Sequence, residues 1–136
     1  MNIIVCLDDK NGMMFHKRRQ SADRELRKHL LQFVKEGMLW MSPYSASQFS
    51  ELPDFVRVDE SFFSYAAEED YCFVESGDWT AFAESIKTIV VYRWNRRYPS
   101  DLKLDLDPEA CGLHRIGVRE FVGTSHEKIT REEYRR

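Results

Sequence analysis

Cysteine is scarce in this chain: Cys6, Cys72 and Cys111 are the three it has, and no two stand at C-x-x-C spacing. An odd count without paired spacing argues against a disulfide framework and points to reduced thiols. Glycine is scarce too, six in 136 residues. No G-x-G-x-x-G, no P-loop and no G-x-S-x-G occurs. The four histidines, His16, His29, His114 and His126, show neither H-x-H nor H-E-x-x-H spacing, so no metal site is expected. The longest apolar run, Ile3 to Leu7, has five residues, whereas a spanning helix needs about 20. Neither a span nor a signal peptide is expected, which predicts a cytoplasmic protein without a membrane partner. An excess of basic charge is also missing. Lys and Arg number 20 against 23 Asp and Glu, for a net charge of −3, so no nucleic-acid partner is expected.

What is present suits one ordinary domain over residues 1–136. Apolar residues make up 43% of the chain, and a chain of this size buries roughly two-thirds of its unfolded surface. Ile3–Leu7 reads as a strand buried on both faces, ended by the turn Asp8-Asp9-Lys10-Asn11-Gly12. A polar loop through Arg19 follows. Ser21 is the expected cap of a helix running to about Glu36. Its stripe is Leu26, Leu30, Phe33 and Val34, and Gly37 is its stop. Met38–Met41 reads as a strand, and Ser42-Pro43 starts a short helix toward Leu52. Phe55–Val58 and Tyr71–Val74 read as further strands, with a short helix or loop between them. The turn Glu75-Ser76-Gly77-Asp78 leads into a helix carrying Trp79, Phe82 and Ile86. Thr88–Trp94 is a long strand. Leu113–Phe121 and Glu127–Glu133 form a closing hairpin about Gly123-Thr124-Ser125. The fold class is α/β: a mixed, mostly parallel central sheet with flanking helices and a C-terminal antiparallel hairpin. Ligands on such sheets bind at the carboxyl ends of the parallel strands.

The order of elements resembles dihydrofolate reductase along most of the chain. The residues that carry the resemblance are the first strand running into Gly12-Met13, a loop, and a helix with Ala22-Asp23 in its first turn. Leu39-Trp40-Met41 then enters a short helix, Cys72-Phe73-Val74 leads to the turn at Gly77, and a terminal hairpin ends the chain. The resemblance implies a cleft for a small heteroaromatic or nucleotide-like ligand. Asp23 would meet the ligand's N–H groups, with Tyr92 facing it from the fifth strand. It also implies a nicotinamide cofactor, NADPH, near Ser45, Ser76 and Gly77. The chain departs from the family where that cofactor's phosphates belong. Glu75 and Asp78 flank the turn, Asp59-Glu60 follow the third strand, and the stretch from Val58 to Tyr71 is short. Carboxylates repel phosphate, so weakened or altered cofactor binding is expected.

The residues on their own point to the same cleft. Asp23 precedes Leu26 by three positions and so borders the apolar face of its helix. A carboxylate there suits proton transfer or N–H recognition if it looks into a hollow at the sheet's carboxyl edge. Ile4 and Cys6 alternate on the first strand and line that edge. Arg18 and Arg19 offer bidentate recognition of a phosphate or carboxylate, and Arg93, Arg96 and Arg97 would extend them into a basic rim. His126 is a candidate acid–base group. Three functions follow: a divergent reductase-like enzyme, a non-catalytic module binding a small anionic metabolite, or a metal-independent phosphodiester hydrolase using His16 or His126.

Overall fold

The computed structural model describes residues 1–76 and 80–136. Its first strand, β1 (Asn2–Leu7), is buried at every position except Cys6, which is half-buried. Parallel neighbours on both sides and covered faces produce that pattern. The chain continues through β2 (Gly12–Phe15), β3 (Arg18–Arg19) and the helix α1 (Arg24–Phe33). β4 (Leu39–Met41), α2 (Pro43–Ala46), β5 (Val56–Val58), α3 (Phe62–Tyr65) and β6 (Tyr71–Phe73) follow. A 3-10 turn at Thr80–Ser85 precedes β7 (Thr88–Arg93), β8 (Leu102–Lys103), β9 (His114–Phe121) and β10 (Ile129–Arg135).

Seven strands form one sheet in the order β5-β4-β6-β1-β7-β10-β9. β1 runs parallel to β6 and β7, and β4 parallel to β5 and β6. β10 is antiparallel to β7 and β9, which makes the mixed sheet with a terminal hairpin expected from the sequence. Alternation along β1 divides the core. Ile3, Val5 and Leu7 pack with Cys72, Ile89, Val91 and Leu113 on one face. Ile4 packs with Leu26, Leu30, Phe73 and Tyr92 on the other, beneath α1. Full burial of leucines such as Leu26 and Leu30 stabilises the fold by about 1.5–3 kcal/mol each. No helix among the described residues is long and apolar enough to cross a membrane.

Several expectations need correction. Asp23, not Ser21, caps α1, and the helix stops at Phe33. Val34 is already extended, and the chain turns at Gly37 with φ of 74°. α2 ends at Ala46, well short of Leu52. The helix expected to carry Trp79 is a 3-10 turn over Thr80–Ser85, and Trp79 itself lies outside the described residues. The largest difference is at residues 12–19. The stretch read as a loop is a hairpin, β2 with β3, which pairs with β8 in a separate three-stranded sheet. Its two-residue turn is His16-Lys17, with φ of 51° and 61°. Both positions need left-handed backbone, which normally selects Asn-Gly. Asp101 steadies the turn, its carboxylate accepting from the His16 N–H at 3.0 Å.

Candidate functional site

Asp23 points inward, and its carboxylate is full. Oδ1 accepts from the backbone N–H groups of Glu25 at 2.9 Å, Leu26 at 3.1 Å and Thr124 at 3.0 Å. Oδ2 accepts from the Ser125 N–H at 2.9 Å, the Ser125 hydroxyl at 3.2 Å and His126 Nδ1 at 2.9 Å. The side chain has no exposed surface. It caps α1 and ties the helix to the turn between β9 and β10. Burial would push this carboxyl up. The Thr124 N–H, the His126 ring, and the Ser125 and Leu26 N–H groups outweigh burial and hold it well below the usual carboxylate range. What Asp23 meets is thus the turn, packed against it.

The turn comes this close because Gly123 has no side chain. A Cβ there would stand 2.5 Å from Asp23 Oδ2 and 2.9 Å from the Ile129 Cδ1. Gly123→Ala should therefore cost about 1–3 kcal/mol, the usual penalty for overpacking a rigid site. Chemical denaturation measures it, and an unchanged midpoint would mean that the turn yields at no cost.

Tyr92 has no exposed surface, and its hydroxyl pairs with His29 Nδ1 at 3.0 Å. The hydrogen bonds of Asp23 and Tyr92 go to different partners. Burial raises the Tyr92 phenol, and burial also lowers His29, aided by Arg131 and Arg119. Ile4 is wholly inside the core beneath α1.

At the carboxyl ends of β1, β4 and β6 the structure gathers Cys6, Arg19, Ser45 and Glu75. Arg19 donates to Glu75 through Nε at 2.9 Å and Nη2 at 3.2 Å, and Nη2 also donates to the Tyr44 carbonyl at 3.0 Å. The guanidinium lies 4.3 Å above the Tyr44 ring. Gln48 Nε2 donates to Glu75 at 3.1 Å. Burial opposes the Arg19 charge, and Glu75 more than offsets it. Beneath this pair, burial and then the Glu75 charge push the Cys6 thiol well up, against a smaller lowering by Arg19. Ser45 is buried, its hydroxyl accepting from Ser42 at 3.3 Å. Ser76 is exposed, and Gly77 lies outside the described residues. Glu75 is thus the anion that Arg19 and Gln48 hold at this edge. A nicotinamide cofactor's diphosphate would have to displace it and then stand beside it. The described residues here do not fit such a group.

Arg18 lines a cavity of about 460 Å³ between the β2–β3 hairpin and the Tyr98-Pro99 segment. Phe15, His16, Arg19 and Gln20 also line it. Among the described residues Arg18 makes no ion pair. Two walls are held by Asp8, which is 1% exposed: its Oδ2 accepts from Gln20 Nε2 and from the Tyr98 N–H, both at 3.1 Å. Gly12 permits the Gln20 approach, because a Cβ there would meet Gln20 Nε2 at 2.5 Å. Arg93 lies apart from this rim, bonded to Glu132 at 2.8 Å and Asn11 at 2.7 Å.

Sequence reasoning missed Asp8, Tyr98 and the pairing role of Glu75. Asp8 was visible only as part of a turn, and Glu75 only as a charge unsuited to phosphate.

No family model matches the chain, and no curated protein does. A dihydrofolate reductase from Enterococcus faecalis, solved in complex with NADP(H) and RAB-propyl, superposes with a TM-score of 0.66. The match covers 99% of this chain and 95% of that one, at 10% identity. This chain has the dihydrofolate reductase fold. At that identity the likeness is one of fold, so function has to be argued from the site. Here that fold carries a carboxylate latch and a basic cavity that share Arg19.

Proposed function

We propose that this chain is a binding module for a small anionic, aromatic or heteroaromatic metabolite, held in the cavity beside Arg18. The observation that carries the reading is the pairing of a roughly 460 Å³ concavity with an arginine that has no ion-pair partner among the described residues. The Arg18 guanidinium suits a carboxylate or phosphate bidentately. Phe15 and His16, stacked at 3.8 Å, and Tyr98 present aromatic surface for a flat ligand. Walls anchored on a buried carboxylate keep the site preformed, which lowers the entropic cost of binding. The reductase reading is disfavoured by the Glu75 latch at the carboxyl edge.

The test is thermal shift followed by calorimetry with nucleoside monophosphates and aromatic carboxylates. A true ligand at 100 times its Kd stabilises by about 2.7 kcal/mol. Arg18→Ala should abolish that shift while leaving the unliganded midpoint unchanged, because Arg18 holds nothing together. The single variant is the clean one, since Arg19 is committed to Glu75. Failure of every anionic aromatic probe to stabilise the chain, or a shift that survives in Arg18→Ala, would refute the reading. Titration with NADPH and NADH addresses the reductase reading separately.

A further inference from the structure

Asp23, His126 and Ser21 stand in line. His126 Nδ1 is 2.9 Å from Asp23 Oδ2, and His126 Nε2 is 3.0 Å from Ser21 Oγ. Asp23 can only accept from the ring, so the ring proton facing it is on Nδ1. A neutral ring then leaves Nε2 as an acceptor for the serine hydroxyl. The ring is fixed between this carboxylate and Trp94, on which it stacks at 4.6 Å. Asp23 and His126 are buried, while Ser21 is half-buried and keeps a face toward solvent. Ser21 follows Gln20 and touches Tyr98, two walls of the Arg18 cavity.

We infer that Ser21 is a nucleophile, His126 its general base and Asp23 the carboxylate that orients the base, together hydrolysing small carboxylic esters. Neither composition nor spacing disclosed the group, because Asp23 and His126 are 103 residues apart in sequence. In the first step Ser21 Oγ bonds to the ester carbonyl carbon, and its proton passes to His126 Nε2. The ester C–O bond breaks, and the alcohol leaves with that proton. Water then adds to the acyl carbon and gives a proton to Nε2. The bond to Ser21 Oγ breaks, Oγ recovers the proton, and the carboxylic acid departs. The Tyr98 hydroxyl is 3.0 Å from Nε2 and 3.5 Å from Ser21 Oγ. It competes with Ser21 for Nε2 at rest. Turned away from Nε2, it is a hydroxyl donor beside Ser21 Oγ, available to a carbonyl oxygen that gains charge there. A preference for esters bearing an anionic group rests on the Arg18 reading; the nucleophile does not.

The decisive experiment treats the full chain with an uncharged alkyl fluorophosphonate and maps the adduct by mass spectrometry. One adduct on Ser21 is expected, absent from Ser21→Ala, whose fold is checked by circular dichroism. Hydrolysis of 4-nitrophenyl acetate should fall by about 10³-fold or more in that variant. A folded wild-type chain that gains no adduct at Ser21, or gains it elsewhere, overturns the inference without need of any variant. Labelling of Ser21 and turnover of the uncharged ester, with no preference for an anionic ester over it, supports the nucleophile and overturns the anionic-ester preference.

Discussion

Asp23→Ala should lower the stability of this chain by about 3–5 kcal/mol, more than any surface substitution would. The loss has two parts. The helix cap made to Glu25 and Leu26 contributes about 1 kcal/mol. His126 Nδ1 is a buried donor, and losing its acceptor costs about 1–3 kcal/mol, while the part-buried Thr124 and Ser125 N–H groups, which water can reach, add about 1 kcal/mol together. A melting temperature lower by roughly 10–20 °C follows. Asp23→Asn should fall between. Its carbonyl keeps the helix cap, but its NH₂ faces the Ser125 N–H, two donors opposed. Urea titration should show a lower midpoint with an unchanged slope. A loss below about 1 kcal/mol would mean the six bonds are not made in solution.

The same carboxylate sets an acid limit. Its folded-state pKa lies below its unfolded value of about 3.9, so its stabilisation is complete above that value. It fades as pH falls from there through the folded-state value. In that window each such group adds a slope of up to about 1.4 kcal/mol per pH unit. Asp8 and Asp70, also held low against burial by the N–H groups they accept from, act in the same direction. Asp23→Asn should flatten the acid limb below about pH 4 by up to one group's share. An acid limb of unchanged slope would show that Asp23 is not depressed.

Features set by short-range pattern were legible in the sequence. The β1 run, the Leu26 and Leu30 stripe and the closing hairpin each announce themselves through periodicity or a breaker. The β2–β3 hairpin did not, because His16 and Lys17 are poor residues for a turn that requires positive φ twice. β8 has two residues and no pattern to read. The site was less legible than the fold. Asp23 could be singled out from its place before Leu26, but what it touches comes from the far end of the chain. Arg19 could be named for its charge, yet its partner Glu75 is 56 residues away and looked like an obstacle to phosphate rather than a latch. Tertiary contacts at such separations leave no mark in spacing.

The Arg19–Glu75 latch supplies the second large effect. Arg19→Ala leaves a carboxylate of 8% side-chain exposure above the Cys6 thiol, with Gln48 as its remaining side-chain donor among the described residues. Removing one partner of a fully buried pair costs about 3–5 kcal/mol. Arg19 retains 20% side-chain exposure, so the expected loss is smaller, about 2–4 kcal/mol. Replacing both partners by apolar residues of like volume, Arg19→Met with Glu75→Leu, should bring the chain back to within about 1 kcal/mol of the wild type, since no charge is then stranded. Cys6 reports on the same geometry. Glu75→Gln removes the charge that opposes the thiolate and leaves Arg19 in place, so alkylation of Cys6 by iodoacetamide at fixed pH should speed up. Arg19→Ala removes the favourable charge and should slow it. A latch that merely sprang open would expose the thiol and accelerate both variants. Opposite signs, read by peptide mapping so that Cys111 is not counted, therefore show that the pair acts on Cys6 by its charges in a closed edge. Equal acceleration would show instead that this edge opens readily, and the carboxyl ends of β1, β4 and β6 would again be available to a ligand.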